Sequence, residues 1–147
     1  MKINTAKNEN DVKECFPAFK ELRPHLIENE YVSQVLRQMK NHDYEIVFIK
    51  ENNVVVSAAG YRVAEYLAWG KTFYVDDLIT ISAARQSGYA EALMDWLINK
   101  AESLGCKEFH LDSGTQRNDA HRLYARKKLN ISSLHFSNEI DKLKVKT

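Results

Sequence analysis

A strand-like run, Phe73 to Ile81, passes through the loop Arg85-Gln86-Ser87-Gly88-Tyr89-Ala90 into an amphipathic helix that starts near Gly88. The helix is legible from spacing. Ala90, Leu93, Met94, Leu97, Ile98, Ala101 and Leu104 recur at intervals of three and four, while Glu91, Asp95, Asn99 and Glu102 fall mostly on the other side. Gly105 supplies the stop, since a residue without Cβ enters the left-handed conformation at little cost. A strand that turns through a donor-rich loop into a helix aims several backbone N–H groups and the positive helix end at one point, which suits a phosphate. The plain alternative for Gly88 is an ordinary turn glycine. Neither the three-glycine pattern of a dinucleotide fold nor the G-x-x-x-x-G-K-S/T of a nucleotide P-loop is present.

Around this unit the chain alternates short elements. Met1 to Thr5 reads as an edge strand, Asp11 to Leu22 as a helix ended by Pro24, and Glu28 to Lys40 as a second helix with Tyr31, Val32, Val35, Leu36 and Met39 on one side. Tyr44 to Lys50 and Val54 to Ala64 are strands joined by the turn Glu51-Asn52-Asn53, and a further turn over residues 65–71 precedes the long strand. Lys107 to Asp112 is a short strand directly after the helix, which makes one βαβ crossover. Asn118 to Lys128 is a further helix and Ile131 to Ser137 a closing strand. There is no repeat or linker, so 147 residues are expected to form a single domain, 1–147.

Charge excludes more than it assigns. With 21 basic and 20 acidic side chains the formal charge is +1, which gives no global attraction to nucleic acid or a membrane surface. Cys15 and Cys106 lack metal-ligand spacing and read as reduced, small hydrophobes, and no metal is expected. No apolar run reaches the length of a membrane span and the N-terminus has no signal-peptide core, so a soluble, cytoplasmic protein is expected.

Two acids within the long strand, Asp76 and Asp77, are unusual, because an ionised carboxylate under a packed layer costs several kcal/mol unless paired or solvated. In a regular strand they point to opposite faces, and at least one faces a wet cleft. Either could instead be a structural acceptor for a loop amide. His121 and His135 have no partners for a metal or a nucleophilic triad and read as structural or surface residues.

The combined pattern Val75-Asp-Asp-Leu-Ile-Thr-Ile81, then Arg85-x-x-Gly88-x-Ala90, then Asn118, Ala120 and Tyr124 after one more strand resembles the GCN5-related N-acetyltransferase (GNAT) superfamily. Its central motif is a strand followed by Q/R-x-x-G-x-G/A and a helix. The match covers about half the chain. Arg117-Asn-Asp-Ala-His-Arg-Leu-Tyr124, with His135-Phe136, more narrowly resembles bacterial small-amine acetyltransferases. The resemblance implies an α/β (α+β) fold with a mixed, mostly antiparallel central sheet flanked by about four helices. It also implies acetyl-CoA as cosubstrate, its pyrophosphate on the amides of Arg85, Gln86, Ser87, Gly88, Tyr89 and Ala90. Leu78, Ile79 and Thr80 would lie along the pantetheine arm, with Asn118 on that arm or a phosphate.

By the same resemblance Asp76, in preference to Asp77, accepts a proton from the substrate ammonium, often through water. Tyr124 stands close to the CoA sulfur. An alkylammonium with pKa near 10 must lose its proton before it attacks a thioester. A backbone N–H freed by a β-bulge near Leu78 to Thr80 would meet the oxyanion. A phenol yields its proton to a thiolate uphill by about 2 kcal/mol, so Tyr124 is expected to act chiefly by hydrogen-bonding the leaving sulfur. Helix capping accounts equally for Asn118, and core packing for Tyr124.

Three departures from the family pattern stand out: Ala90 where glycine is commoner, Ser82 for a frequent proline, and Lys128-Leu129 for the usual Gly-Phe. The expected function is transfer of acetyl to a primary amine of a small molecule by direct attack on the thioester. Protein or peptide N-acetylation and a non-catalytic acetyl-CoA-binding regulator are the alternatives. A terminal strand near an open sheet edge would favour a homodimer.

Overall fold

The turn read at Asn52-Asn53 forms, and it sets the register of the sheet. In the computed structural model, which describes residues 1–145, Glu45–Glu51 (β2) and Val54–Tyr66 (β3) pair antiparallel around Asn52 and Asn53, whose φ values are 51° and 62°. Asparagine enters the left-handed region more readily than most residues, and two such residues in succession match the twist of the flanking strands. Chain reversal at 67–69 leads to Gly70–Thr80 (β4), antiparallel to β3. Asn4–Thr5 (β1) borders β2, and Glu108–Leu111 (β5) runs parallel to β4, giving the order β1-β2-β3-β4-β5.

The described residues fall into two compact units, Met1–Leu111 and Asp112–Thr147, the second described as far as residue 145. In the first, both faces of the sheet are covered. Ile46 and Phe48 of β2 join a core with Val12, Cys15, Phe19, Tyr31 and Val35 from the helices Glu9–Glu14 (α1), Phe16–Leu22 (α2) and Glu28–Asn41 (α3). Val47 and Ile49, one residue out of phase, are equally buried, so β2 reads as a continuous apolar run. The helix Tyr89–Ser103 (α4) packs on β2, β3 and β4. Its Leu93, Met94 and Leu97 are fully buried and its Trp96 lies 6.2 Å from Tyr61, which stacks on Phe73 at 4.4 Å.

The end of α4 follows the sequence closely. Gly105 has φ 74°, its N–H bonds Glu102 O, and the N–H of Cys106 bonds Ala101 O at 3.0 Å, satisfying carbonyls that the helix itself cannot. The α4 helix also completes the βαβ crossover between β4 and β5.

Several expectations differ from the structure. The helix over residues 11–22 is two helices that break at Cys15, because Pro17 enters the first turn of α2, where it lacks an N–H and its ring would crowd the carbonyl a turn earlier. No strand forms over 131–137 among the described residues. Ile131 and Phe136 there are 98% and 87% exposed, and an alternating pattern without a ladder partner cannot satisfy its backbone as a strand. That segment was the ground for expecting a homodimer. Among the described residues there are six α-helices rather than about four: the broken first helix adds one and Ile140–Leu143 (α6) is a single extra turn. Finally, the bulge in β4 lies elsewhere than expected, with consequences for the site.

Candidate active site

After β4 the chain is pinned before it enters α4. Ile81 N–H bonds Val56 O at 3.0 Å, a 3-10 turn follows over Ser82–Ala84, and Gln86 and Gly88 take φ of 64° and 82°. One carboxylate of α2 organises this loop: Glu21 accepts the Ser82 N–H at 2.7 Å and the Ser82 hydroxyl, and lies 3.8 Å from Arg85 Nη2. The serine that replaces the frequent proline is therefore a donor with a partner. Gly88 is the N-cap of α4 and no side chain caps the helix. A Cβ on Gly88 would meet nothing within 4 Å, so glycine is required by the backbone conformation and not by crowding. The first N–H groups of an α-helix have no partner inside it, and this loop points them from a rigid base.

Alongside, β4 leaves its neighbour. Pairing with β5 ends at Val75 opposite Leu111, so Asp76 to Thr80 have no strand on that edge among the described residues. On the other edge, Gly60 opposes Asp77 while Tyr61 opposes Val75, and Asp76 is the extra residue of a bulge. The bulge expected near Leu78 to Thr80 is thus two residues earlier: Leu78, Ile79 and Thr80 pair in register with Ala59, Ala58 and Ser57. A regular strand would send Asp76 and Asp77 to opposite faces. The bulge removes that alternation.

Both carboxylates consequently join one network. Asp76 receives Arg62 through Nε at 3.2 Å on Oδ1, and through Nε at 3.0 Å and Nη2 at 2.5 Å on Oδ2. Asp77 accepts Arg23 Nε and Nη2 on Oδ1, at 3.2 and 3.0 Å, and the Tyr44 phenol on Oδ2 at 2.7 Å. Arg23 Nη2 also donates to Asp76 O, and the Arg62 guanidinium sits 5.8 Å over the Tyr44 ring. Burial pushes the Asp76 carboxyl above the usual carboxylate range, with Arg62 pulling it back and Asp77 adding to the rise. Burial, reinforced by Asp77, raises the Tyr44 phenol well above its ordinary value, so Tyr44 stays a donor.

Tyr44 reaches Asp77 only because residue 60 has no side chain. A Cβ there would lie 1.7 Å from the phenol oxygen. Sequence reasoning missed Gly60, Tyr44, Arg23 and Arg62. A glycine inside the β-branched run of β3 was the available signal, since such a glycine marks a bulge or a close approach.

Asp77 opens into a cleft of about 160 Å³ between α2 and α3, lined also by Phe19, Arg23, His25, Leu26, Tyr31, Gln34, Val35, Gln38 and Tyr44. Lys20 Nζ donates to Pro24 O and Leu26 O, and Leu26 N–H to Arg23 O, which fixes the loop at the rim.

Asn118 and Tyr124 belong to the second unit, on the helix Asn118–Arg126 (α5). Asn118 was read as its cap, but Arg117 holds the N-cap position, Asn118 is the first helical residue, and no side-chain cap is formed. Tyr124 is half-buried, and burial lifts its phenol above the ordinary value while Arg117 lowers it. His121 Nε2 lies 2.9 Å from Gly114 O and 3.1 Å from Ser113 Oγ, a local structural role, and His135 Nδ1 is 3.5 Å from Asp112. Cys15 is buried and its thiol is pushed up to about 12, mainly by burial. No group of three or more His, Cys, Asp or Glu that could hold a metal occurs among the described residues, and no helix among them is long and apolar enough to cross a membrane.

Residues 7–129 match the family model described as Acetyltransferase (GNAT) family. The chain belongs to the GNAT family. It is an N-acetyltransferase, of a family whose donor is acetyl-CoA. A relative in Bacillus subtilis (strain 168), the uncharacterized N-acetyltransferase YhdJ, is 30% identical over 127 residues, covering 86% of this chain and 88% of the relative. The crystal structure of a transcriptional regulator from Bacillus halodurans C-125 superposes with a TM-score of 0.82 at 21% identity, over 94% of this chain and 99% of that one. The aminoglycoside N-acetyltransferase AAC(6')-Iy, solved with CoA, superposes with a TM-score of 0.80 at 12% identity, over 94% and 93% of the two chains.

One departure from the usual GNAT pattern has a structural cost. Lys128, where glycine is commoner, takes φ 66°, and the N–H groups of Lys128 and Leu129 close α5 on Ala125 O and Tyr124 O, both at 3.0 Å. The glycine-type turn is made with a lysine. Left-handed backbone costs an L-residue about 1–2 kcal/mol, so Lys128→Gly is expected to stabilise the protein by about 1 kcal/mol in urea unfolding, even against the extra freedom of glycine in the unfolded chain. A loss of stability would contradict the reading.

Proposed function

We propose that residues 1–147 act as one N-acetyltransferase domain that transfers acetyl from acetyl-CoA to a primary amine of a small molecule by direct attack on the thioester. The observation that carries this reading is a juxtaposition within the first unit: the cleft between α2 and α3 ends at Asp77, beside the stretch Asp76 to Thr80 where β4 has no strand on its β5 side. A cleft of about 160 Å³ suits a small acceptor better than a polypeptide. An aminoglycoside N-acetyltransferase with the same fold supports that choice.

In this reading the free edge of Leu78, Ile79 and Thr80 pairs with the pantetheine amides, and the amides of Arg85 to Ala90 with the α4 N-terminus hold the pyrophosphate. Asn118 contacts the same arm. Asp77 holds the substrate ammonium, and Asp76, whose Oδ1 carries only the longest Arg62 contact, takes the amine proton through water. A backbone N–H at the bulge meets the oxyanion as the amine adds. Collapse expels CoA thiolate, which accepts a hydrogen bond from Tyr124.

Calorimetry with acetyl-CoA and a thiol-release assay across an amine panel test the proposal together. Heat on titration and amine-dependent thiol are expected; absence of both would end it. Tyr124→Phe is expected to lower turnover about tenfold or more while acetyl-CoA affinity stays within about threefold of wild type. Unchanged turnover would remove Tyr124 from the chemistry.

A further inference from the structure

The charges around Asp77 restrict which amine the cleft accepts. Asp77 Oδ1 is already shared by Arg23 Nε and Nη2, and Oδ2 by the Tyr44 phenol. An incoming ammonium therefore meets a carboxylate that is already neutralised by a guanidinium. A cation with no counter-charge of its own would leave two positive groups on one negative one in a half-exposed site, where water screens the excess only in part. His25 lies on the same rim as Arg23, and no carboxylate other than Asp77 lines the cleft among the described residues. Phe19, Leu26 and Val35 form an apolar patch of the wall, and Tyr31, Gln34, Gln38 and Tyr44 complete the lining without adding an acid.

We infer that the acceptor is a zwitterion of the amino-acid type: its ammonium sits on Asp77, its acidic group on the Arg23 and His25 side, and an apolar side chain against Phe19, Leu26 and Val35. The inference rests on the acetyltransferase reading above and names the substrate class for that cleft. With both charges on the ligand, the set of ammonium, Asp77, Arg23 and ligand acid sums to zero. The cleft, about 160 Å³ and open to solvent on one side, seats a compact ligand on the scale of a single amino acid. A polycation finds only one carboxylate here and is disfavoured. Arg23 is held at 3.0 Å from Asp77 by a loop that Lys20 fastens, so the positive group is in place before the ligand arrives. Pre-positioning of that kind strengthens binding by lowering the ordering cost.

The test uses the full chain with saturating acetyl-CoA and measures thiol release with matched acceptors: L-leucine, its decarboxylated twin 3-methylbutylamine, and spermidine. Leucine is expected to exceed both amines in kcat/KM by at least about tenfold. Arg23→Gln is expected to reduce the leucine to 3-methylbutylamine ratio to within about twofold of one, with the thermal midpoint measured alongside to exclude unfolding. Equal or faster acetylation of 3-methylbutylamine or spermidine by the wild-type chain would overturn the substrate class and leave the transferase reading standing. If none of the three releases thiol while calorimetry still records acetyl-CoA binding, the substrate class is overturned, and the wider amine panel decides the transferase reading separately.

Discussion

Gly60→Ala is expected to destabilise the protein by about 3 kcal/mol and to lower the thermal midpoint by roughly 6 to 12 °C. The added methyl would stand 1.7 Å from the Tyr44 oxygen and 2.2 Å from the ring carbon that bears it. Neither the strand nor the ring can yield that distance. Tyr44 is 3% exposed and wedged in the core, and Gly60 is paired on both sides, to Ile46 and Asp77. The ring must leave, and with it go its packing and its hydrogen bond to Asp77. The same change is expected to weaken the amine KM by about tenfold or more, because Asp77 loses the partner that orients it. Differential scanning calorimetry gives the first number and steady-state kinetics the second. A midpoint within about 2 °C of wild type would mean that Tyr44 does not lie over Gly60.

Asp76→Asn is expected to lower kcat by about a hundredfold and leave the amine KM within about threefold. Its pH dependence separates a base from a merely structural carboxylate. Burial raises the Asp76 carboxyl more than Arg62 lowers it, so the ionised form that accepts a proton is lost as pH falls through a value above the usual carboxylate range. Wild-type kcat/KM therefore falls on the acid side at a pH higher than an ordinary aspartate would give. In the asparagine variant that limb disappears, and the rate climbs with pH until the free amine dominates near its own pKa of about 10. Activity within about threefold of wild type at neutral pH, with the acid limb retained, would assign the limb to another group. Asp77→Asn should show the opposite split, with the larger change in KM.

What was legible along the chain was local. The spacing from Ala90 to Leu104, the stop at Gly105 and the double asparagine turn each depend on residues within a few positions of one another, and each formed as read. A glycine before the helix was legible at position 88 as well, and the structure gives it the positive φ that glycine allows. Pro17 carried a local signal too, and it breaks the first helix where a continuous one was expected. The strand over 131–137 was misread for a different reason: alternation states which side chains could share a face, not whether a partner strand exists.

The sequence by itself determined the α4 helix, the loop that precedes it and the succession of elements, because periodicity and turn chemistry act over a few residues. Only the tertiary structure decided how the two acids of β4 are used. A one-residue bulge is invisible in composition, yet it cancels the alternation that would have parted Asp76 from Asp77. Arg23, Tyr44 and Arg62 lie 54, 33 and 14 positions from the acids they hold. Pairings of that separation exist only once the sheet has closed, since nothing in the unfolded chain holds such distant groups together.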